Sequence, residues 1–101
     1  MATVTSKVLV RAAAATSTGT LYTVPSSTTA VVTNIVVTNS AATSATFTLT
    51  LNSVDIFTTA AIAANSTAMF DLKQVLTTGQ IIAGFASAVT VKFHISGVEI
   101  S

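Results

Sequence analysis

The sequence predicts an all-β chain, folded as an antiparallel β-sandwich or jelly roll of about eight short strands. Two observations lead to this fold class. Two segments alternate strictly between apolar and polar residues, and turn-forming residues interrupt the chain at intervals of about ten residues. Sustained helical periodicity is missing between these interruptions. We expect a single domain spanning residues 1–101.

The alternating segments each have the pattern of a strand with one buried face. In Ala45–Leu51 every second residue is apolar and the residues between them are threonines. In Val89–Ser96 the apolar positions are Val89, Val91, Phe93 and Ile95. Successive side chains of a strand point to opposite faces, so a slip of one residue would expose the whole apolar set. Each buried side chain is worth roughly 1.5–3 kcal/mol, which fixes the register.

A longer segment, Thr28–Asn39, is rich in β-branched residues and has valines on both faces. This pattern predicts a central strand covered on both sides, or a strand with a bulge near Thr33 and Asn34. Five shorter segments complete the predicted set: Val8–Ala13, Leu21–Val24, Val54–Thr58, Thr67–Leu72 and Gln80–Phe85.

Turn signals separate these segments. Asn52-Ser53 lies between two apolar runs and predicts a tight hairpin, because asparagine tolerates positive φ. The other predicted breaks are Pro25–Ser27, Asn39–Ser44, Ala64–Ser66 and Thr78–Gly79. The alanine-rich runs Ala12–Ala15 and Ala60–Ala64 are too short to form stable helices, so we expect loops or single helical turns there.

Charge is scarce in this chain. No ionisable Asp, Glu, Lys, Arg or His occurs between Arg11 and Asp55, and charged residues make up 7% of the sequence, against about a quarter in typical soluble domains. This pattern favours a surface that contacts other proteins. The net charge of +1 argues against nucleic acid and anionic membranes as partners.

Other classes of protein are also disfavoured. The chain has no cysteine for disulfides or thiolate metal sites. The chain contains no window of about 18 consecutive apolar residues, which a membrane-spanning helix would need. The opening residues lack the layout of a secretory signal, so we expect the protein to be intracellular when it is made.

The candidates for chemistry are few, and we predict no catalytic, cofactor-binding or metal-binding residues. His94 is the sole histidine, and a serine hydrolase using it would also need an orienting carboxylate and a nucleophilic serine. We interpret His94 instead as a polar-face residue beside Lys92. The possible metal ligands are widely spaced, which leaves open only an ion site built on a three-fold axis. These ligands are Asp55, Asp71, His94 and Glu99.

The aromatic residues have two interpretations. Tyr22 and the five phenylalanines could form a platform on which sugars stack. Phe47, Phe70 and Phe93 occupy apolar-face positions, however, so we expect them in the core.

Three segments resemble small virion structural proteins of tailed bacteriophages. Leu21–Pro25 followed by Thr29–Asn39 is similar to their "LYTVP, AVVT-I-V-N" opening. Val75–Ile82 resembles their "L-x-x-G-D-x-I" segment, with Gln80 in place of the usual acidic residue. Ile95–Ile100 is similar to their closing "V-x-G-x-E" strand.

The resemblance implies a non-enzymatic β-sandwich subunit of the virion. We expect a capsid decoration (cement) protein that forms a homotrimer and binds the phage major capsid protein. The alternative is a tail, collar or fibre component for host attachment, with Asn39–Ser44 or Ala83–Ala88 as exposed loops. A small hydrolase using His94 is the third hypothesis.

Overall fold

The protein is an all-β sandwich, seen in a computed structural model that describes residues 3–101. Eight strands follow one another along the chain. Their bounds are β1 (Val4–Ala13), β2 (Gly19–Thr23), β3 (Thr29–Asn39), β4 (Ala45–Leu51), β5 (Val54–Ile62), β6 (Ser66–Leu76), β7 (Ile81–Ala86) and β8 (Val91–Ile100). The predicted fold class is confirmed. Within the described residues, no helix has the length and hydropathy to cross a membrane.

The strands form two four-stranded antiparallel sheets, in the orders β1-β8-β3-β6 and β2-β7-β4-β5. Consecutive strands lie in opposite sheets, with β4 and β5 as the exception: these two pair directly through a hairpin. This arrangement of eight strands is that of a jelly roll. The molecule is elongated, with extents of 49 × 21 × 17 Å.

The core lies between the two sheets and is built from the alternating positions that the sequence indicates. Phe47 on β4 and Phe93 on β8 are fully buried, and their ring centroids are 6.1 Å apart in an edge-to-face arrangement. Each comes from a different sheet, so the pair joins the two layers. Val32, Ile35 and Val37 fill the space beneath β3.

The predicted bulge in the third strand is confirmed. The register of β3 with both of its neighbours shifts between Val32 and Asn34. A second bulge lies between Val8 and Val10 on β1. Both bulges flank β8, and they locally distort the outer surface of this sheet.

The predicted hairpin is also confirmed. Asn52 and Ser53 have φ values of 51° and 66°, as required when both central residues of a two-residue turn are left-handed. Thr59 on β5 also has a positive φ, of 46°, and it lies where the pairing of β5 with β4 shifts.

The expectation of loops or helical turns holds for only part of each alanine-rich run: Ala14–Ala15 and Ala63–Ala64 lie outside the strands, and the remaining residues lie within them. Ala60–Ile62 belongs to β5, because Ala60 and Ile62 pair with Phe47 and Ala45 of β4 and face the core. In the first run, β1 continues to Ala13 and the following Ala14 is buried. Packing and sheet pairing therefore override the helical preference of alanine.

Two further expectations are wrong. Val89 precedes β8 and is 62% exposed, so it does not share the buried face of Val91. Ala83–Ala88 is not an exposed loop, because β7 extends to Ala86, and Ala83, Gly84 and Ala86 are buried.

Candidate interaction surface

The outward side of the sheet β1-β8-β3-β6 is apolar for a solvent-facing surface, and we call it the outer valine face. Strand pairing aligns its side chains in rows that cross all four strands. One row contains Ser6, Val98, Val31 and Val75, and another contains Arg11, His94, Val36 and Met69. Four of the six large hydrophobic side chains that are strongly exposed lie on this face: Val4, Val8, Met69 and Val75. Met69 is 73% exposed and Val75 is 62% exposed.

A groove of about 440 Å³ runs along the β1 and β8 side of this face. It is lined by Ser6, Lys7, Val8, Thr33, Ser96, Gly97 and Val98. The groove lies where the bulges of β1 and β3 flank β8. The Thr33 hydroxyl spans this distortion by donating to the Ser96 carbonyl at 3.3 Å. The groove therefore offers a few hydroxyls, valine methyls and the Lys7 side chain to a partner.

Charges on the outer valine face are separated. Arg11 and His94 are cross-strand neighbours on β1 and β8, with Lys92 two residues before His94. Asp71 and Lys73 lie on β6, at the opposite edge of the sheet. Among residues 3–101 the one salt bridge is Lys7–Glu99, so Arg11 and Asp71 do not pair within one chain.

The surroundings of His94 differ from those of a catalytic histidine. Its cross-strand neighbours are Arg11 and Val36, and its nearest same-face neighbours along β8 are Lys92 and Ser96. None of these is a carboxylate that could orient the imidazole. The structure therefore places His94 beside Lys92 on an outward row, without the partners that a hydrolase would need.

The four possible metal ligands are dispersed. Asp55 is at the start of β5 and accepts a hydrogen bond from the Thr58 hydroxyl at 2.7 Å. Asp71 and His94 lie on different strands of the outer valine face, and Glu99 points to the inner side of the same sheet. Across the described part of the chain, no three His, Asp or Glu side chains converge.

A polar cluster joins the two sheets where β1 and β2 are adjacent. The Tyr22 hydroxyl donates a hydrogen bond to Glu99, and Lys7 donates to both Glu99 oxygens at 3.2 and 3.3 Å. The hydrogen bond from Tyr22 lowers the pKa of Glu99 below its ordinary value; partial burial opposes this shift and Lys7 reinforces it. Burial, followed by the interaction with Glu99, raises the pKa of Tyr22. No local sequence pattern indicates this cluster, because Glu99 is 92 residues from Lys7 and 77 residues from Tyr22.

Most aromatic side chains pack inward, whereas Phe85 pairs with Thr48 on the outer side of the second sheet, apart from the others. Phe47 and Phe93 are buried, as expected. Phe70 is only half-buried, and it stacks on Phe57 with ring centroids 4.5 Å apart, both rings packing against the core. This stacking covers the side of the sandwich where β5 and β6 are adjacent.

The outer side of the second sheet is lined mainly by threonine and alanine. A smaller open pocket of about 310 Å³ lies there. Its lining comprises Thr18, Gly19, Thr20, Thr50, Ser53, Ile81 and Ala83. It has no ionisable side chain, and we assign no chemistry to it.

Buried Asn39 organises the loops at one end of the sandwich. Its amide nitrogen donates to the carbonyls of Thr43 and Ala63 at 2.9 and 3.4 Å. Its amide oxygen accepts from the Ala41 backbone and the Thr90 hydroxyl, each at 3.1 Å. One side chain therefore holds the β3–β4, β5–β6 and β7–β8 loops together. Residues 42–44 are nevertheless exposed.

Gln80, which departs from the acidic residue of the phage pattern, has a local structural role. Its side-chain oxygen accepts a hydrogen bond from the Thr77 backbone at 2.8 Å, inside the turn between β6 and β7. A carboxylate could accept the same bond. The backbone N–H of Thr77 in this turn thus has a hydrogen-bond acceptor without an acidic residue at position 80.

These features define a jelly-roll protein with an exposed apolar sheet face and no converging catalytic groups in the described residues. No protein-family model matches the sequence, and a search of curated proteins finds no significant match.

Comparison with solved structures identifies a chain that shares the fold. A chain of the T13 viral particle of IBDV is similar, with a TM-score of 0.60 and 7% identity, over 98% of this chain and 30% of that chain. A chain from the structure of infectious bursal disease virus, Gx strain, aligns with a TM-score of 0.46 and 12% identity, over 98% of this chain and 31% of that one. This chain therefore spans less than a third of each.

Proposed function

We propose that this protein is a non-enzymatic structural subunit of a virion, and specifically a capsid decoration protein of a tailed bacteriophage. In this proposal it self-associates as a homotrimer and binds the major capsid protein. The observation that carries the proposal is the outer valine face, where Val4, Val8, Met69 and Val75 are exposed without covering side chains.

The fold and the sequence resemblance support the same role. The jelly roll is shared with a chain of an icosahedral viral particle at a TM-score of 0.60. The three segments similar to phage virion proteins lie in β2 and β3, around the β6–β7 turn, and in β8. They therefore belong to the framework of the sandwich.

The physical chemistry of the surface fits a protein that acts by contact area. A decoration protein holds neighbouring capsid subunits together through shape complementarity and requires no reacting group. Burying valine methyls is favourable, and burying a threonine or serine hydroxyl that gains a hydrogen bond costs far less than burying a charged group. With 7% charged residues, most of this surface can be covered at low cost.

Binding to separated virion parts tests the proposal. Purified chain is mixed with purified heads, tails or complete particles of the phage that encodes it, and co-sedimentation is measured. We expect saturable binding to heads and extra density on the head in cryo-electron microscopy. Binding to tails alone would favour the alternative below. Absence of binding to all three fractions would overturn the virion role.

The alternative is a tail, collar or fibre component that contacts the host. It is supported by the clustering of loops at one end of the sandwich, where residues 42–44 are exposed beside the Asn39 network. The other predicted contact loop, Ala83–Ala88, belongs to β7 as far as Ala86. Glycan-array binding that is lost on substitution of residues 42–44 would support this alternative over head decoration.

A further inference from the structure

We propose that the outer valine face is covered by a second copy of this chain, with the β6 side of one copy lying over the β1 side of the other. This contact goes beyond the proposed virion role and does not depend on it. It requires only the exposed face and the difference between its two sides.

The two sides of the face differ in shape. The β6 side presents protruding apolar side chains, since Met69 and Val75 are 73% and 62% exposed. The β1 and β8 side carries the 440 Å³ groove, which includes Ser6, Val8 and Val98 in its lining. Protrusions on one side and a groove on the other are complementary between copies.

The strand register places these features at the same level. Val75 and Ser6 belong to one row across the sheet. A rotation axis parallel to the strands keeps every row at its own height, so Val75 of one copy meets the groove beside Ser6 of the next. Two-fold and three-fold axes parallel to the strands both keep the rows at the same height. In either case the β6 side of one copy contacts the β1 side of the next.

The charges fit the same apposition. Asp71 lies in the row of Val8, and Arg11 lies in the next row. Within one chain the two residues are on opposite edges of the sheet, about 14 Å apart at the usual strand spacing. In the proposed contact, the Asp71 carboxylate comes within reach of Arg11 from the neighbouring copy. Lys73 leaves the β6 side without net charge, whereas Arg11 and Lys92 make the β1 and β8 side positive.

The available area is sufficient for association. Four strands of about ten residues present roughly 600 Å² per copy at standard sheet spacings. Full coverage would bury about 1,200 Å² in total, at the lower end of the range for specific interfaces. A stable but reversible contact is therefore expected.

Charge reversal tests the contact in the full chain. We expect self-association of the unmodified protein by sedimentation equilibrium. Arg11→Asp and Asp71→Arg should each weaken it about tenfold, because like charges then face each other, and the double variant should restore it. Lys73→Asp is the matched control. It changes the net charge as much as Arg11→Asp, but position 73 lies farther from the row of Arg11 than Asp71 does, so the Arg11–Asp71 pair stays intact and association should be retained.

Mixing the two single variants also reports symmetry. In a two-fold dimer of one Arg11→Asp copy and one Asp71→Arg copy, opposite charges face each other at both contacts. Association through a two-fold axis should therefore be fully restored. A ring of three always keeps one mismatched contact and should be restored only in part. Failure of both the mixture and the double variant to recover association would overturn the pairing.

Cross-linking provides a second measurement. Because the chain has no native cysteine, Ser6→Cys and Val75→Cys introduce single thiols. Oxidising a mixture of the two should give a covalent dimer, whereas Thr20→Cys on the other sheet mixed with Val75→Cys should not. Equal cross-linking of both pairs, or a monomer at all concentrations, would overturn the inference. Head binding by a monomer would leave the virion role intact, and self-association without particle binding would leave the present inference intact.

Discussion

Tyr22 on β2 donates a hydrogen bond to Glu99 on β8, and this contact joins the two sheets of the sandwich. Among residues 3–101 it is the one hydrogen bond between side chains of strands in different sheets. The other connections between the layers are apolar packing and loop contacts. The stability of this edge should therefore depend on the ionisation of two side chains.

Stability should decline at both extremes of pH because of this pair. The pKa of Glu99 is lowered by Tyr22, so its contribution is present above the ordinary carboxyl pKa near 4.3 and is lost as the pH falls through the folded-state value. The pKa of Tyr22 is raised, so the folded state loses stability relative to the unfolded state as the pH rises above about 10.

Tyr22→Phe should reduce the loss of stability at both low and high pH, and it should cost about 1.5–3 kcal/mol at neutral pH, the range for a hydrogen bond to a charged group. Urea unfolding between pH 2 and 11 measures this. Lys7→Met is the control, because it removes the salt bridge but leaves the bond from Tyr22. If the free energy of unfolding of Tyr22→Phe still fell above about pH 10 as in the unmodified protein, the assignment of that loss to Tyr22 would be wrong.

Gly97→Ala should disrupt the sheet where β8 crosses β3. A Cβ at Gly97 would lie 2.0 Å from the Val31 carbonyl oxygen, which is backbone and has little freedom to move. We expect a loss of at least about 3 kcal/mol, at the upper end of overpacking effects. Gly19→Ala, where no atom lies within 4 Å of the added carbon, should change the free energy of unfolding little. Equal effects in chemical denaturation would disprove this explanation.

Thr59→Gly should stabilise the protein by about 0.5–1 kcal/mol. A β-branched residue at a φ of 46° is strained, and glycine adopts this conformation freely, although it gains more entropy on unfolding. The hydrogen bond from the Thr59 backbone to the Thr48 hydroxyl does not require the threonine side chain. The same change at Thr23, an exposed strand residue with ordinary φ, should be destabilising. Thermal unfolding of both variants decides the sign.

Asn39→Asp should cost about 3 kcal/mol or more at neutral pH. The carboxylate would face the carbonyls of Thr43 and Ala63, which now accept hydrogen bonds from the amide, in a site that is 2% exposed. The loss should shrink on acidification, because a protonated carboxyl can donate one bond again. Asn65→Asp, in an exposed turn, is the control and should be nearly neutral. Comparable losses in the two variants would argue against the Asn39 network.

The features that depend on local periodicity are predictable from the sequence. The buried faces of β4 and of β8 from Val91 onward, the Asn52-Ser53 hairpin and the bulge before Asn34 all follow from patterns a few residues long. The strand conformation of Ala60–Ile62 is not predictable from the local sequence, because alanine has little preference for a pleated surface. Pairing with Phe47 and Ala45 decides the conformation of Ala60 and Ile62, and that pairing is a tertiary effect.

The candidate surface was only partly predictable. Valines on both sides of the third strand indicated coverage of both faces, and the structure leaves the outer side of β3 without cover from its own chain. Tyr22 and Glu99 are 77 residues apart, and nothing in the local sequence of either identifies the other as its partner. The groove depends on bulges in two strands that flank a third, which requires the complete sheet order.

The position of β8 has a consequence for how the protein is made. This strand lies between β1 and β3. Beyond its last residue, the backbones of Thr3 and Ser101 are hydrogen-bonded to each other. During translation, β1 and β3 therefore emerge long before the strand that must separate them. Until β8 arrives, both have unpaired edges, and their direct pairing would be a non-native state. We expect slow folding after synthesis and a need for protection from aggregation in that interval.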